Sequence, residues 1–557
     1  MVGDEVAPVI IAQQVAEALR ALGVRRVYGL PGEDHMALLD AFQSAGLDYC
    51  TAFNESSAVI MAATDAQVTG LPGVAVLSLA PGVSNGVNGL LNTYLDEIPL
   101  ILISGQHPAG GLPFVVRQGF NIEHLVTPMT KWRARVTSDM NVASVVGRAI
   151  DEAMSGRPGP VYLEIPDGVA TSEGTVDPAA AAVATERSHS RWVGAKQGRM
   201  PADPAAVDTL LHRLRIARRP ALVVGGRRRR ITTGTLDVFA TTFQVPVFTT
   251  TRQKGLLHSG SPYFAGTFLN GRMEKDLLDA ADLVIAVDPE SFDFYNKPWC
   301  FAADAIAVTA ESFTEWANPF TAQLVADPES LFAAASAAAS DAGFDGASEW
   351  SQADVASYRH GLRDKLLPPG DDAFSVAQAV DAALDAWPRD GYVTADAGFS
   401  KPLIVMLSDL TEPDRFFASN ALSTMGYSIP AAVALRRATG RPVLSFMGDG
   451  SLLMRATELM VSADDGVPAV FVAVMDRSLT QIEVKQERRH LAEVGVSLPP
   501  VMCAKLADAF DLDGVDVDNA DDLRAAIAKG LQGDRPMLIG AHVDPAPSRV
   551  LFDLLRG

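Results

Sequence analysis

Asp449 stands between Gly448 and Gly450, directly after the apolar run Pro442-Val443-Leu444-Ser445-Phe446-Met447, and Asp476 follows 27 residues later at the end of a second apolar run, 469–475. Short continuous apolar runs read as strands buried on both faces. Two oxygen ligands at the C-terminal ends of neighbouring strands suit one Mg²⁺, which takes few carboxylates and completes its octahedron with other oxygens, often from phosphate. The glycines flanking Asp449 would let backbone N–H groups approach a diphosphate. Gly-Asp-Gly alone usually marks a turn, so the chemistry needs a second half from elsewhere in the chain.

A third acid, Glu55, falls in Phe53-Asn54-Glu55-Ser56-Ser57-Ala58, where a short strand over 50–53 gives way to a helix starting near Ser56. It reads either as a first-turn charge favoured by the helix dipole or as a buried acid able to hydrogen-bond a ring nitrogen. Around these acids the chain places Gly- and Pro-rich segments after apolar runs: Pro31-Gly32-Glu33, Ala80-Pro81-Gly82-Val83-Ser84-Asn85-Gly86, Asp396-Ala397-Gly398-Phe399-Ser400 and Ser423-Thr424-Met425-Gly426. Turns at the C-terminal ends of parallel strands are where open α/β sheets bind ligands.

The elements that would position these residues fall into three groups. The first holds strands at Arg26-Val27-Tyr28-Gly29-Leu30, 74–79, 100–104 and 161–165, with a helix over 10–22. The second holds strands at 221–224, 246–248 and 283–287, and the third at 392–394, 443–446, 470–474 and 537–539. Apolar runs alternating with helical periodicity predict three open parallel-sheet α/β domains of five or six strands each. Linker-like composition over 173–204 and 333–372 puts the boundaries near 185 and 360, giving domains of residues 1–185, 186–360 and 361–557.

A length of 557 residues suits about three domains of 150 to 200 residues. A net charge of −21 argues against broad contact with nucleic acid or an anionic membrane. The one basic run, 227–230, reads as a solvated turn or a nucleotide-phosphate contact. The three cysteines, Cys50, Cys300 and Cys503, are far apart and odd in number, which fits a reducing cytoplasm. Asp4 and Glu5 precede an amphipathic pattern, and no window of 18 uncharged apolar residues occurs, so neither secretion nor a membrane span is expected.

With these residues in view, the chain resembles the thiamine-diphosphate-dependent enzymes of the acetohydroxyacid (acetolactate) synthase type, from Ile10 to the C-terminus. The resemblance rests on Asn54-Glu55, 80–85, Gly105-Gln106, Gln118, Thr130-Lys131-Trp132, Gly156-Arg157-Pro158-Gly159-Pro160, Thr424-Met425-Gly426-Tyr427 and the Gly448 to Asp476 motif. It implies a pyrimidine-binding, a central and a diphosphate-binding domain. It makes Glu55 the acid that hydrogen-bonds N1′ of the aminopyrimidine and favours the imino tautomer, whose nitrogen removes the thiazolium C2 proton. Met425 is similar to the residue that holds the cofactor bent, and the Ser423 carbonyl would receive the 4′-amino group. Asp449, Asp476 and the Ser478 carbonyl would hold Mg²⁺. Ala397, Gly398, Phe399, Ser400, Gly450 and Ser451 would contact the diphosphate, Pro81 and Asn85 the cofactor from the first domain, and Gln118 and Gly32 the reacting carbon. The family places the glutamate and the metal loop on different subunits, which implies a homodimer or homotetramer with active sites at the interface.

The chain departs from that family at several positions. Asn54 replaces a common histidine, and Asp476 replaces an amide ligand. Lys485, followed by Arg488 and Arg489, stands where the synthases carry a tryptophan, so it favours an anionic substrate or forms a solvated helix face. Glu33 replaces a small residue and Arg117 an aromatic, both where substrate is expected. The histidine pair of simple decarboxylases is absent, since His107 stands alone beside Pro108 and reads as a surface-loop residue. The segment 281–288 resembles a domain that binds FAD in some relatives, without a convincing phosphate-binding glycine motif, so the block reads as scaffold. The expected activity is a carboligase using a 2-oxo acid donor and a small-molecule acceptor. The alternatives are a decarboxylase or C–C lyase releasing an aldehyde, and a degenerate paralogue that binds cofactor without turnover.

Overall fold

The computed structural model describes residues 9–108, 116–174, 200–226, 230–294, 299, 301–312, 320–344, 348–368, 373–462 and 467–556. Arg227, Arg228, Arg229, Cys300, most of the 173–204 linker and Pro369-Gly370 lie outside the described residues. The chain divides into two compact units. One comprises residues 1–198, 419–441 and 453–467; the other comprises 199–418, 442–452 and 468–557.

The first unit is built on six parallel strands: β1 (Arg26–Gly29), β2 (Asp48–Thr51), β3 (Gly73–Leu77), β4 (Leu100–Ser104), β5 (Trp132–Arg135) and β6 (Pro160–Glu164). Their order across the sheet is β2-β1-β3-β4-β6-β5. The central strands β3, β4 and β6 are buried at every residue, which is why they read as unbroken apolar runs. The chain leaves β1 in one direction to form β2 and returns past it to form β3. The C-terminal ends of β1 and β3 therefore flank a topological switch point, the place where open α/β sheets receive ligands.

The second unit carries two more six-stranded parallel sheets. The first contains β7 (Pro220–Val224), β8 (Val247–Thr250), β9 (Phe264–Phe268), β10 (Leu283–Val287), β11 (Asp304–Thr309) and β12 (Ala322–Val325), in the order β12-β11-β10-β7-β8-β9. This is the doubly wound order of dinucleotide-binding folds. The next contains β13 (Tyr392–Ala395), β14 (Phe416–Ala418), β15 (Val443–Gly448), β16 (Ala469–Met475), β17 (Asp513–Val517) and β18 (Met537–His542), in the order β14-β13-β15-β16-β18-β17. That arrangement repeats the first sheet strand for strand, with its switch point between β13 and β15.

The three parallel sheets match the expected fold class. Some local expectations change. The segment 80–86 is no turn but the opening of the helix Ala80–Leu95, with Pro at its first turn, where its missing N–H costs nothing. The Ala-rich stretch after 333 continues the helix Pro328–Ala342, and the helix Gln352–Leu366 runs across position 360.

Candidate active site

Glu55 is the first residue of the helix Glu55–Thr69, which follows β2. Asn54 is its N-cap, the side chain accepting the Ser56 N–H at 2.9 Å. An amide oxygen suits this role well, which accounts for Asn54 in physical terms. The Glu55 carboxylate accepts a hydrogen bond from the Asn85 amide, and the Ser56 hydroxyl donates to the Asn85 carbonyl at 2.5 Å. The helices Glu55–Thr69 and Ala80–Leu95 approach so closely that a Cβ on Gly89 would lie 2.5 Å from the Ser56 carbonyl oxygen; only glycine permits the contact.

The helix Ala80–Leu95 also holds the 419–425 turn. Thr424 donates to Asn88 at 2.8 Å, Ser419 to Asn92 at 2.6 Å, and the N–H groups of Asn420 and Ala421 to Asp96 at 3.2 and 2.9 Å. Asn85, Asn88, Asn92 and Asp96 recur at three- and four-residue spacing, so they share one helix face. One face thus grips both the Glu55 carboxylate and the turn carrying Ser423 and Met425. Ser423 is exposed with φ 53°, and Met425 is half-buried.

At the β1/β3 switch point Asp34 organises the Pro31-Gly32-Glu33 turn. Its carboxylate accepts the Ser78 hydroxyl at 2.6 Å and the Leu79 N–H at 2.9 Å. Burial opposes its charge, but the His35 ring, Ser78 and Leu79 outweigh that and hold the carboxyl below its ordinary value. His35 is fully buried, and its Nε2 accepts the Gly32 N–H at 3.1 Å. The Nδ1 therefore carries the proton of the neutral ring and faces Asp34 at 3.5 Å. Gly82, whose Cβ would lie 3.6 Å from Glu55 Oε1 and 3.1 Å from Ser78 Cβ, places this cluster beside the Glu55 carboxylate. Sequence reasoning reached Gly32 and Glu33 but missed Asp34, His35 and Ser78. Asp34 and His35 lie in the polar run Glu33-Asp34-His35 after Gly32, and Ser78 directly follows β3; their contacts with one another are not encoded in that local pattern.

In the second unit, Asp449 begins the helix Asp449–Arg455 directly after β15, and Asp476 follows β16, which pairs with β15 in register. Asp449 accepts the N–H groups of Gly450 at 2.8 Å and Arg477 at 2.7 Å. Asp476 accepts the Ser478 N–H at 3.1 Å and the Thr480 hydroxyl at 2.5 Å. Burial, then the charge of Asp476, pushes the Asp449 carboxyl up to about 6; burial raises Asp476 as well. Two neighbouring carboxylates whose charge is disfavoured in this way fit a divalent cation, which would reverse the penalty. No cluster of three or more His, Cys, Asp or Glu side chains suited to a metal occurs among the described residues. Two carboxylates with remaining ligands from backbone and diphosphate oxygen meet Mg²⁺ requirements. Ser478 donates its hydroxyl to Glu483, which leaves its carbonyl as the ligand candidate.

The 396–400 segment sits at the other side of this switch point, after β13. Asp396 and Ser400 are buried, the Ala397 N–H turns back to the Asp396 carboxylate at 2.8 Å, and Gly398 adopts φ 149°. Phe399 stacks on Phe552 of the helix Ala546–Arg556, ring centroids 6.1 Å apart. Gly450 and Ser451 lie in the first turn of the helix that Asp449 opens, where backbone N–H groups are left without partners inside the helix.

Among the remaining candidates, Glu33, Arg117, Gln118 and Lys485 are all exposed, and Gln118 takes φ 59°. Arg488 lies over the Phe552 ring at 4.5 Å, so it serves packing as well as charge. His107, expected on a surface loop, is half-buried, with Nε2 shielded and without a hydrogen-bond partner among the described residues. In the central sheet the Gly226 N–H, just beyond the end of β7, is taken by the buried Asp293 carboxylate at 3.1 Å. The crevice where a dinucleotide's phosphates would sit is thus faced by the chain's own acid.

Three family models match in order: the N-terminal thiamine pyrophosphate binding domain over residues 10–126, the central domain of these enzymes over 207–334 and the C-terminal thiamine pyrophosphate binding domain over 396–541. The chain belongs to the thiamine-diphosphate-dependent enzymes, acetolactate-synthase-like branch. It is 28% identical to the acetolactate synthase isozyme 2 large subunit of Escherichia coli (strain K12), over 96% of this chain and 95% of that one. It is 27% identical to the probable 2-ketoarginine decarboxylase AruI of Pseudomonas aeruginosa, over 87% and 85%. In fold it resembles the thiamine-diphosphate-dependent 4-hydroxybenzoylformate decarboxylase of Rhodococcus jostii RHA1, with a TM-score of 0.77 at 20% identity, covering 96% of this chain and 99% of that one.

This thiamine-diphosphate enzyme therefore uses that cofactor with Mg²⁺ and acts on a 2-oxo acid. Bound thiamine diphosphate supplies a nucleophilic carbon and an electron sink; the chain supplies orientation and charge. Among the described residues no helix is long and apolar enough to cross a membrane.

Proposed function

We propose that the protein is a carboligase, which cleaves a 2-oxo acid and transfers the resulting acyl-anion equivalent to a second carbonyl compound. The observation that carries this reading is the full-length likeness to acetolactate synthases, joined to a first domain whose loop after β4 holds one histidine where simple decarboxylases hold two. In this reading Glu55 hydrogen-bonds the cofactor's ring nitrogen, Met425 and the Ser423 carbonyl hold the pyrimidine, and Asp449, Asp476 and the Ser478 carbonyl hold Mg²⁺. Pro81 and Asn85 line the cofactor from the first domain, while Ala397 to Ser400, Gly450 and Ser451 bind diphosphate. Gly32, Gln118, Glu33, Arg117 and Lys485 face substrate.

The enzyme acts as a homo-oligomer with active sites shared between subunits. Exposed apolar side chains close in the chain to Glu55 and to Asp449 support this: Phe53 is 50% exposed, Leu453 44% and Met454 56%, groups that a second copy would cover.

A decarboxylase is the second reading, and Glu33 favours it. Its exposed carboxylate at the β1/β3 switch point has no ion-pair partner among the described residues, which suits a 2-oxo acid with a cationic side chain, as in the 2-ketoarginine named for one relative. Incubation with thiamine diphosphate, Mg²⁺ and either pyruvate or a guanidinium-bearing 2-oxo acid separates the two. A coupled hydroxyketone supports the carboligase. Release of aldehyde alone, with either donor, overturns it.

A further inference from the structure

Glu458 is a buried acid to which neither reading gives a role. It opens the short helix Glu458–Val461, nine residues along the chain from Asp449, and it is 0% exposed. One oxygen, Oε2, accepts the backbone N–H of Phe53 at 3.2 Å. The other, Oε1, makes no hydrogen bond among the described residues. The Asn54 N–H and the Ser57 hydroxyl lie near enough to favour the ionised form without reaching hydrogen-bond geometry, and Arg455 adds an opposite charge; burial outweighs them all and raises the carboxyl above its ordinary value.

An acid is expensive to bury, so its place needs an explanation from what it touches. Phe53 and Asn54 are the two residues before Glu55, and Asn54 is the cap of the helix that Glu55 begins. The Glu458 carboxylate therefore sits at the positive end of that helix, where an anion is favoured, and fixes the backbone from which the Glu55 side chain departs. Asn85 fixes the other end of the same side chain.

We propose that Glu458 is a positioning residue for Glu55: by accepting the Phe53 N–H it sets the direction in which the Glu55 carboxylate meets the cofactor's ring nitrogen. This rests on the reading of Glu55 given above. A small rotation of that backbone moves the carboxylate by a fraction of an ångström, and misplacement on that scale is enough to slow a proton transfer strongly.

The test uses the full chain with saturating thiamine diphosphate and Mg²⁺, comparing wild type with Glu458→Ala and Glu458→Gln. The first readout is the exchange rate of the bound cofactor's thiazolium C2 proton, measured by acid-quench NMR; the second is amide hydrogen exchange of a peptide spanning Phe53 to Ser57 without cofactor. We expect E458A to slow C2 exchange by at least about tenfold and to speed amide exchange in that peptide. E458Q, whose amide oxygen can still accept from Phe53, should fall between E458A and wild type in both. Wild-type C2 exchange in a folded E458A overturns the proposal; should E458A not fold, wild-type values in E458Q overturn it equally. If wild type itself neither binds the cofactor nor exchanges its proton, the functional reading fails instead, and the amide-exchange arm still decides whether Glu458 anchors the segment.

Discussion

The carboxylate of Asp449 accepts the backbone N–H of Arg477, 2.7 Å away, so the helix start after β15 is tied to the loop after β16 by the acid proposed as a Mg²⁺ ligand. Arg477 holds φ 61°, a left-handed conformation that costs energy for any side chain other than glycine. The two loops are thus set in place by the chain, with the two acids held side by side.

That arrangement has a pH signature. The folded Asp449 carboxyl titrates near 6, pushed up by burial and by Asp476. Between about pH 4 and 6 the native chain therefore binds more protons than the unfolded one, and its stability falls as pH rises through that window. Above about 6 the cost is complete. Asp449→Asn should stabilise the metal-free chain at pH 7.5 by on the order of 1 kcal/mol, seen as a raised melting temperature, while abolishing Mg²⁺-dependent cofactor binding. Thermal unfolding in a chelator, alongside Mg²⁺ titrations from pH 5 to 8, checks both; affinity for Mg²⁺ should weaken below about pH 6. A lowered melting temperature would mean that the bonds to Gly450 and Arg477 outweigh the charge penalty.

Glu55→Gln should leave cofactor affinity within a few-fold of wild type, because an amide oxygen can still accept from Asn85. C2 deprotonation and turnover should fall together, by roughly 10²- to 10³-fold. Cofactor titration by circular dichroism, paired with C2 exchange, separates binding from chemistry; unchanged turnover would remove Glu55 from the mechanism.

Gly426 bears on the Met425 turn. It holds φ 79°, and a Cβ there would lie 2.4 Å from Arg455 Cγ. Gly426→Ala should cost about 1–3 kcal/mol and loosen cofactor binding. Gly440→Ala is the control, because Gly440 shares the left-handed φ, 64°, but has nothing within 4 Å of the added methyl. Its effect should be smaller and confined to stability. Equal losses in denaturant unfolding would show that backbone strain, not the Arg455 contact, sets the cost.

Asp34→Ala frees the Ser78 hydroxyl and the Leu79 N–H at once. Partly buried donors left without an acceptor cost about 1–3 kcal/mol. Because the folded carboxyl is held below its ordinary value, its stabilisation is complete above about pH 4 and lost as pH falls through the folded value. The variant and wild type should therefore differ most at neutral pH and converge in acid, which urea unfolding at pH 7 and pH 3 would show.

The central strands of all three sheets could be read from the sequence because they are buried on both faces and carry long apolar stretches, as in Val470-Phe471-Val472. Of the edge strands only β2, expected over 50–53, was foreseen, and the buried inner strand β11 was not. Each residue of β5 is only partly buried, β12 mixes exposed and half-buried positions, and β17 buries only Val517, so no apolar run announced them. The acids of the candidate site stood out because glycine or a strand end sits next to them. Asp34 and Glu458 did not: what marks them is a partner far away in the chain, Ser78 for Asp34, 44 residues distant, and Phe53 for Glu458, 405 residues distant. No local spacing encodes such a contact.

The matching strand orders of the first and third sheets give each strand end a counterpart. Glu55 follows the second strand of its sheet, and the 419–425 turn follows the second strand of the other. Gly82 and Asp449 follow the two third strands, and the Pro31-Gly32-Glu33 turn and the 396–400 segment follow the two first strands. One architectural template appears twice in a single polypeptide, and each copy's sockets are fitted for different chemistry. In the proposed reading one set would hold a proton-handling acid, the other a metal and an anion. Specialisation of this protein is thus a matter of what fills each socket, and the strand plan around it is used twice.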